Sequence, residues 1–99
     1  MEVVKNKLDE DTLYAKPVGR LDINNAESFK EEVVNSVTNY KNLVIDFGEV
    51  TFISSIGLRT LFELQKLMSE KGTMKLINVS YDIMYIFNMT GFDKILNIE

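Results

Sequence analysis

Ninety-nine residues make room for one domain, 1–99, and not for a second. An apolar fraction of 45% and a charged fraction of 26% suit a soluble globular chain, and no apolar run approaches the roughly 20 residues of a membrane span. With no cysteine and no histidine, disulfides, thiolate nucleophiles, zinc–thiolate sites, Ser–His catalysis and phosphohistidine chemistry are all excluded. The net charge is −4, and nine lysines and two arginines are scattered without a basic stripe, which argues against nucleic acid and anionic membranes as partners. The partner expected of such a surface is another protein. The opening MEVVKNKLDEDT lacks the basic region and apolar core of a signal peptide, so the cytoplasm is the expected compartment.

In chain order, Val3 and Val4 mark a short strand that ends at the acidic turn of residues 9–11. LYAKPVGRL (13–21) alternates in part and reads as a strand; Pro17 cannot donate to a ladder, which predicts a place at or near a sheet edge, with Gly19 as the exit. Asn24 and Asn25 are candidate helix N-caps, and Glu27 follows Asn24 by three as in a capping box. Ala26, Phe29, Val33, Val37 and Tyr40 then form one face of an amphipathic helix. LVIDF (43–47) is a nearly continuous apolar run and predicts a central buried strand. Leu58, Leu61, Leu64 and Met68 line the next helix, expected over 57–71 and terminated by Gly72. MKLINV (74–79) is a strand, Ser80 caps a third helix carrying Ile83, Met84, Ile86 and Phe87, and Gly91 ends it. The tail FDKILNI adds a short strand or a last turn of helix. The order β-β-α-β-α-β-α predicts an α/β fold with a mixed sheet of four to five strands packed against helices.

Enzyme chemistry finds no support. No two of the carboxylates Asp22, Asp46, Glu49 and Asp82 fall at a spacing that helix or strand periodicity would bring together. The serine pair does not fit G-x-S-x-G, and the five glycines are isolated turn or helix-end residues that build no phosphate loop. No cofactor and no metal is expected.

What stands out is VTFISSIGLRTLFEL (50–64), in which two hydroxyls sit where a helix begins. A helix N-terminus carries unsatisfied N–H groups and about half a positive charge, so a phosphate dianion is tolerated there. Serine is also a preferred N-cap, worth typically about 1 kcal/mol over alanine. One serine suffices to cap, and the second gains nothing from helix propensity. Spacing goes no further than these two readings, a cap or a displayed acceptor.

Three segments together resemble the STAS domain, and within it the bacterial anti-sigma factor antagonists. They are GRLDINNAESF (19–29), LVIDFGEVTFISSIGLRTL (43–61) and NVSYDIMYIFNMTGFDKILNI (78–98), in the family order over nearly the whole chain. The resemblance implies that a serine at the start of the second helix is phosphorylated by a partner that is both anti-sigma factor and serine kinase. Only the unphosphorylated form then binds that partner productively and frees the sigma factor, and a PP2C-type phosphatase resets the switch. An antagonist of this type is expected to be a monomer when free and not an enzyme.

The family's frequent Asp-Ser-Ser-Gly corresponds here to Ser54, Ser55, Ile56 and Gly57, a Ser-Ser-apolar-Gly form that many members share. The resemblance makes Ser55 the acceptor and Ser54 the cap, with Ser54 as a conceivable substitute acceptor. Asp22 matches the acidic residue of the family's Gly-x-Leu-Asp turn, which lies beside the acceptor; by itself it is equally an ordinary turn carboxylate. Ile56 and Arg59 are implied partner contacts, the alternatives being core packing for Ile56 and a solvated helix face for Arg59. Gly57 is expected to permit a close approach, of the helix to its own sheet or of the partner to the helix start. Because STAS domains also serve in stress-signalling assemblies and lipid-transport complexes, the alternative is a stand-alone adaptor or scaffold subunit that is never phosphorylated.

Overall fold

In the computed structural model, which describes residues 1–99, alternation of apolar and polar side chains builds the sheet. Strand β1 (Glu2–Asp9) turns sharply into β2 (Thr12–Leu21), and the two pair antiparallel. At that turn Asp9 Oδ1 accepts the Asp11 N–H at 2.9 Å, a contact that holds the Asp9 carboxyl below its ordinary range. Helix α1 (Ala26–Ser36) carries the chain to β3 (Asn42–Asp46), and β3 and β4 (Val50–Ile53) both run parallel to β2, one after the other along its length. Helix α2 (Ser55–Ser69) returns to β5 (Thr73–Ile77), parallel to β3. Helix α3 (Tyr81–Thr90) and a 3-10 turn (Phe92–Lys94) follow, and Ile98 bridges in parallel to Leu76. The chain is thus a single α/β domain with a five-stranded mixed sheet and three helices.

Leu13, Ala15, Leu43, Ile45, Phe47, Met74 and Leu76 alternate into the core from the strands. Phe29 and Val33 of α1 and Leu58, Leu61, Leu64 and Met68 of α2 close over them, as the helical spacing predicts. Phe87 of α3 joins the same core against Phe47, with ring centroids 6.2 Å apart and planes tilted by 47°. Burying one such large side chain contributes roughly 1.5–3 kcal/mol, so this shared core dominates what holds the helices to the sheet. Asp46 is the only buried charge, 8% exposed, on the strand position that alternates away from Ile45 and Phe47. Its carboxylate accepts from the Tyr14 hydroxyl (2.5 Å), the Gly48 N–H (2.8 Å) and the Asn78 amide (3.1 Å). Burial alone would raise the Asp46 carboxyl, but these three donors outweigh it and hold it below the ordinary value. The same bond pushes the Tyr14 hydroxyl up to about 12, because the neutral phenol is the donor that the carboxylate requires.

Several local expectations are corrected by this architecture. Strand β2 is central, with β1 on one side and β3 and β4 on the other. Pro17 is tolerated there because β3 pairs with residues 12–15 and β4 with 19–21. The Gly19 N–H points to the β4 side, donating to the Glu49 carbonyl at 2.9 Å, so by the strand period of two the Pro17 nitrogen points into the interval between β3 and β4. Gly19 does not end the strand; with φ +108° it sits where the β2–β4 register shifts, opposite the extra β4 residue Thr51. Strand β4 itself is an addition to the expected element order. It is only four residues long, and its pairing partner lies some thirty residues upstream.

The expected asparagine caps are also absent. Asn25 occupies the N-cap position, yet its Oδ1 accepts from the Asp22 N–H (2.9 Å) and its amide donates to the Arg20 carbonyl (2.5 Å). Both groups are spent on the turn, and no side chain caps α1. Helix α1 ends at Ser36, leaving Val37 buried at its C-cap and Tyr40 beyond it. Helix α2 starts two residues earlier than expected, at Ser55, and ends at Ser69. Gly72 follows that end at a different constraint, because a Cβ there would be driven into the Lys41 carbonyl. Strand β5 stops at Ile77, since Asn78 turns left-handed with φ 57° and donates to Asp46. Ser80 and Gly91 cap α3 at its two ends as expected, Gly91 in the left-handed conformation.

Candidate functional site

The C-terminal ends of β2 and β4 lie side by side, with Leu21 opposite Ile53. Both side chains are buried, so the strands hold their register at this point through core packing. The Ser54 N–H donates to the Leu21 carbonyl at 3.0 Å and ends the pairing. Ser54 then has the extended backbone of an N-cap (φ −94°, ψ 176°), and its Oγ accepts the Gly57 N–H at 3.2 Å. Its carbonyl accepts the Leu58 N–H at 2.9 Å, so the α2 ladder begins here. Ser55 is the first helical residue; it is exposed, and no protein group engages its hydroxyl.

Gly57 is buried against the sheet. A Cβ on it would lie 2.7 Å from the Leu21 carbonyl oxygen and 2.8 Å from Ile53 Cγ1, contacts that side chains essentially never make. Glycine therefore lets the first turn of α2 rest directly on the ends of β2 and β4. Ile56 remains 38% exposed and outside the core. Arg59, one turn after Ser55, has a side chain 74% exposed whose only ion pair is a 3.7 Å contact from Nε to Glu63. Glu63 in turn receives Lys30 Nζ from α1 at 3.2 Å. An open groove of about 290 Å³ between the two helices is lined by Glu27, Lys30, Ile56, Arg59, Thr60 and Glu63.

Asp22 directly follows Leu21 and so stands at the same end of the sheet. Its Oδ1 accepts the Asn24 N–H (3.0 Å), its Oδ2 meets Arg20 Nε (3.4 Å), and its carbonyl accepts the Asn25 and Ala26 N–H groups. Every one of these partners belongs to its own turn or strand. Asp22 therefore shapes the β2–α1 turn beside the serines without bonding to either.

Three exposed residues at this end escaped the sequence reading. Ile23, in the turn after Asp22, is 76% exposed, and Phe52 on β4 is 37% exposed. Arg20 lies with its guanidinium 4.1 Å from the Phe52 ring centroid while also reaching Asp22. Recognising VTFI as a strand would have signalled Phe52, since the period of two turns it away from buried Ile53. The Arg20–Phe52 contact has no comparable signal, because it depends on β4 pairing with β2. No three acidic side chains converge as a metal site would require, and no helix is long and apolar enough to cross a membrane.

The site is thus a strand-to-helix junction of a small α/β domain, with Ser54 as the helix cap and Ser55 exposed beside it. The sequence profile of the STAS domain matches residues 4–99, and the chain belongs to the STAS domain family. A similar curated protein is the anti-sigma-B factor antagonist of Bacillus subtilis (strain 168), 26% identical over 94 residues, which span 94% of this chain and 86% of the relative. Among solved structures, an anti-sigma factor antagonist from Mycobacterium paratuberculosis superimposes with a TM-score of 0.87 at 19% identity, covering 98% of this chain and 83% of the other. SpoIIAA superimposes in its unphosphorylated form with a TM-score of 0.78 at 17% identity, covering 99% and 88% of the two chains. The phosphorylated form of Bacillus SpoIIAA gives 0.73 at 16% identity, covering 99% and 91%. At these identities the structural likeness is one of fold.

Proposed function

We propose that this protein is an anti-sigma factor antagonist whose binding is switched off by phosphorylation of Ser55. The observation that carries the reading is the division of labour between the two serines. The Ser54 hydroxyl is spent on the Gly57 N–H, whereas the Ser55 hydroxyl is exposed and unengaged one residue further on. The curated relative's name and the existence of SpoIIAA in phosphorylated and unphosphorylated forms support the same reading. The protein is a binding partner and substrate, not itself an enzyme, and acts in the cytoplasm as a monomer when free. Its partners are an anti-sigma factor with serine kinase activity and a PP2C-type phosphatase.

In the switch-off step, Ser55 Oγ attacks the γ-phosphorus of kinase-bound ATP. A phosphate ester forms, the bond to the β-phosphate oxygen breaks, ADP leaves, and the hydroxyl proton passes to a base on the kinase. Net charge moves from −4 to about −6. The helix start tolerates the dianion, so the fold is retained. The partner does not tolerate it equally: one carboxylate about 6 Å away costs roughly 3 kcal/mol per unit charge at an effective dielectric of 20. Each unit of added charge thus weakens binding about a hundredfold before any steric effect. Ile56, Arg59 and Asp22, with Ile23 and Phe52 exposed beside them, form the surface offered to the partner.

The test is titration of wild type, Ser55→Ala, Ser55→Glu and the phosphorylated protein against the cognate anti-sigma factor, with and without ATP. Ser55→Ala is expected to bind constitutively and resist the kinase, and Ser55→Glu to fold normally yet bind weakly. Equal affinity for the phosphorylated and unphosphorylated protein, or phosphate found on Ser54, overturns the assignment.

A further inference from the structure

Only two arginines occur in the chain, and both lie at the Ser55 end, Arg20 on β2 and Arg59 on α2. Their situations differ. Arg20 is held by the Phe52 ring at 4.1 Å and by Asp22 at 3.4 Å. Arg59 has a single long contact to Glu63 and a side chain 74% exposed. Glu63 does not depend on it, because Lys30 approaches the same carboxylate more closely, at 3.2 Å.

Ser55 and Arg59 are four residues apart on one helix, the spacing that brings side chains together on the same face. Anion first and cation four residues later is also the favoured order along a helix. Resting on the reading of Ser55 as the phosphorylated residue, we infer that Arg59 is the internal ligand of the Ser55 phosphate. On modification the guanidinium leaves Glu63 and forks onto two phosphate oxygens, a planar charge-assisted pairing that lysine cannot reproduce.

The consequence reaches the groove between α1 and α2. Unmodified, its lining balances the carboxylates of Glu27 and Glu63 with the cations of Lys30 and Arg59. When Arg59 turns to the phosphate, Lys30 is left as the one cation facing two carboxylates. Phosphorylation thereby withdraws an arginine from the partner surface as well as adding a dianion to it, so the groove reports the state of Ser55 one to two turns away. The modification itself costs the fold little, because Glu63 keeps Lys30.

The experiment uses full-length protein with phosphoserine installed at position 55 by genetic-code expansion, so that no kinase is needed. The second ionisation of the phosphate, ordinarily near 6, is followed by 31P NMR in wild type, Arg59→Gln, Arg59→Lys and Arg20→Gln. The helix start, Asp22 and Glu27 act on the phosphate in every variant, so differences among variants isolate the arginine. Arg59→Gln is expected to raise this pKa by about half a unit, the size of an exposed ion pair. Arg59→Lys should keep part of the wild-type effect, and Arg20→Gln should titrate as wild type does or nearly so. The Arg59 Nε–H resonance should move on phosphorylation of wild type. Identical titration of wild type and Arg59→Gln, with an unmoved Arg59 resonance, overturns the inference and leaves Ser55 as acceptor standing. A cognate kinase that modifies a different residue, read separately by mass spectrometry, overturns the reading on which the inference rests.

Discussion

Gly57 and Leu21 approach so closely that the Leu21 carbonyl oxygen lies 2.7 Å from where a Gly57 Cβ would be, and that same carbonyl accepts the Ser54 N–H. One backbone group thus ends the β2–β4 pairing and floors the first turn of α2. Its geometry fixes the height and direction at which Ser55 leaves the sheet.

Gly57→Ala follows from that contact. Alanine would improve helix propensity by up to about 1 kcal/mol, but its methyl meets backbone oxygen, which cannot step aside as a flexible side chain would. A net loss of about 1–3 kcal/mol in urea unfolding is expected, with weaker partner binding as the helix start is pushed outward. An alanine variant that is more stable and binds fully would show the contact to be unimportant.

Ser54→Ala removes the only side-chain acceptor for the Gly57 N–H at the helix start. A stability loss of about 1 kcal/mol is expected from the lost cap, while Ser55 remains a kinase substrate. Phosphopeptide mapping with chemical denaturation separates the two serines: loss of phosphorylation in this variant without loss of stability would reverse their roles.

The Tyr14–Asp46 bond makes stability depend on pH at both extremes. Tyr14 ionises at about 12 in the folded protein against 10 for an unperturbed tyrosine, so its contribution is complete below pH 10 and is lost as pH rises toward 12. Asp46 is depressed, so its contribution is present above its unfolded value and is lost as pH falls through the lower folded one. Tyr14→Phe should cost about 1.5–3 kcal/mol at neutral pH, as for a hydrogen bond to a charged group, and should flatten the alkaline fall measured by urea unfolding. An alkaline slope identical in wild type and Tyr14→Phe would place the loss elsewhere.

Gly72→Ala is expected to destabilise more than its position outside any helix suggests. The added methyl would run into the Lys41 carbonyl, backbone that is tied through the Thr73 N–H to the start of β5. A fall of about 2–3 kcal/mol in unfolding free energy is expected, with little effect on partner binding because the contact is remote from Ser55.

The helices and the buried strand were legible because their signals are local. Leu58, Leu61, Leu64 and Met68 repeat at the helical period, LVIDF is apolar without interruption, and Ser80 and Gly91 are the residue types that start and stop α3. The serine pair could likewise be read as lying at a helix start, since Ser54 needs only the N–H three residues on to serve as its cap.

What depended on distant pairing stayed hidden. Strand β4 is four residues whose identity as a strand comes from β2, and the same pairing makes Pro17 central and puts Gly19 at a register shift. Asn25, which local rules would make a cap, has its side chain claimed by Asp22 and Arg20 across the β2–α1 turn. Sequence by itself determined which segments are helical, which residues enter the core, and that two hydroxyls stand at a helix start, because period and capping act over three or four residues. Only the tertiary structure decided that Gly57 rests on Leu21, that Asp46 is satisfied by Tyr14 and Asn78, and that Arg20 is held by Phe52 and Asp22 while Arg59 keeps one long contact to Glu63, because each depends on which strands and helices become neighbours.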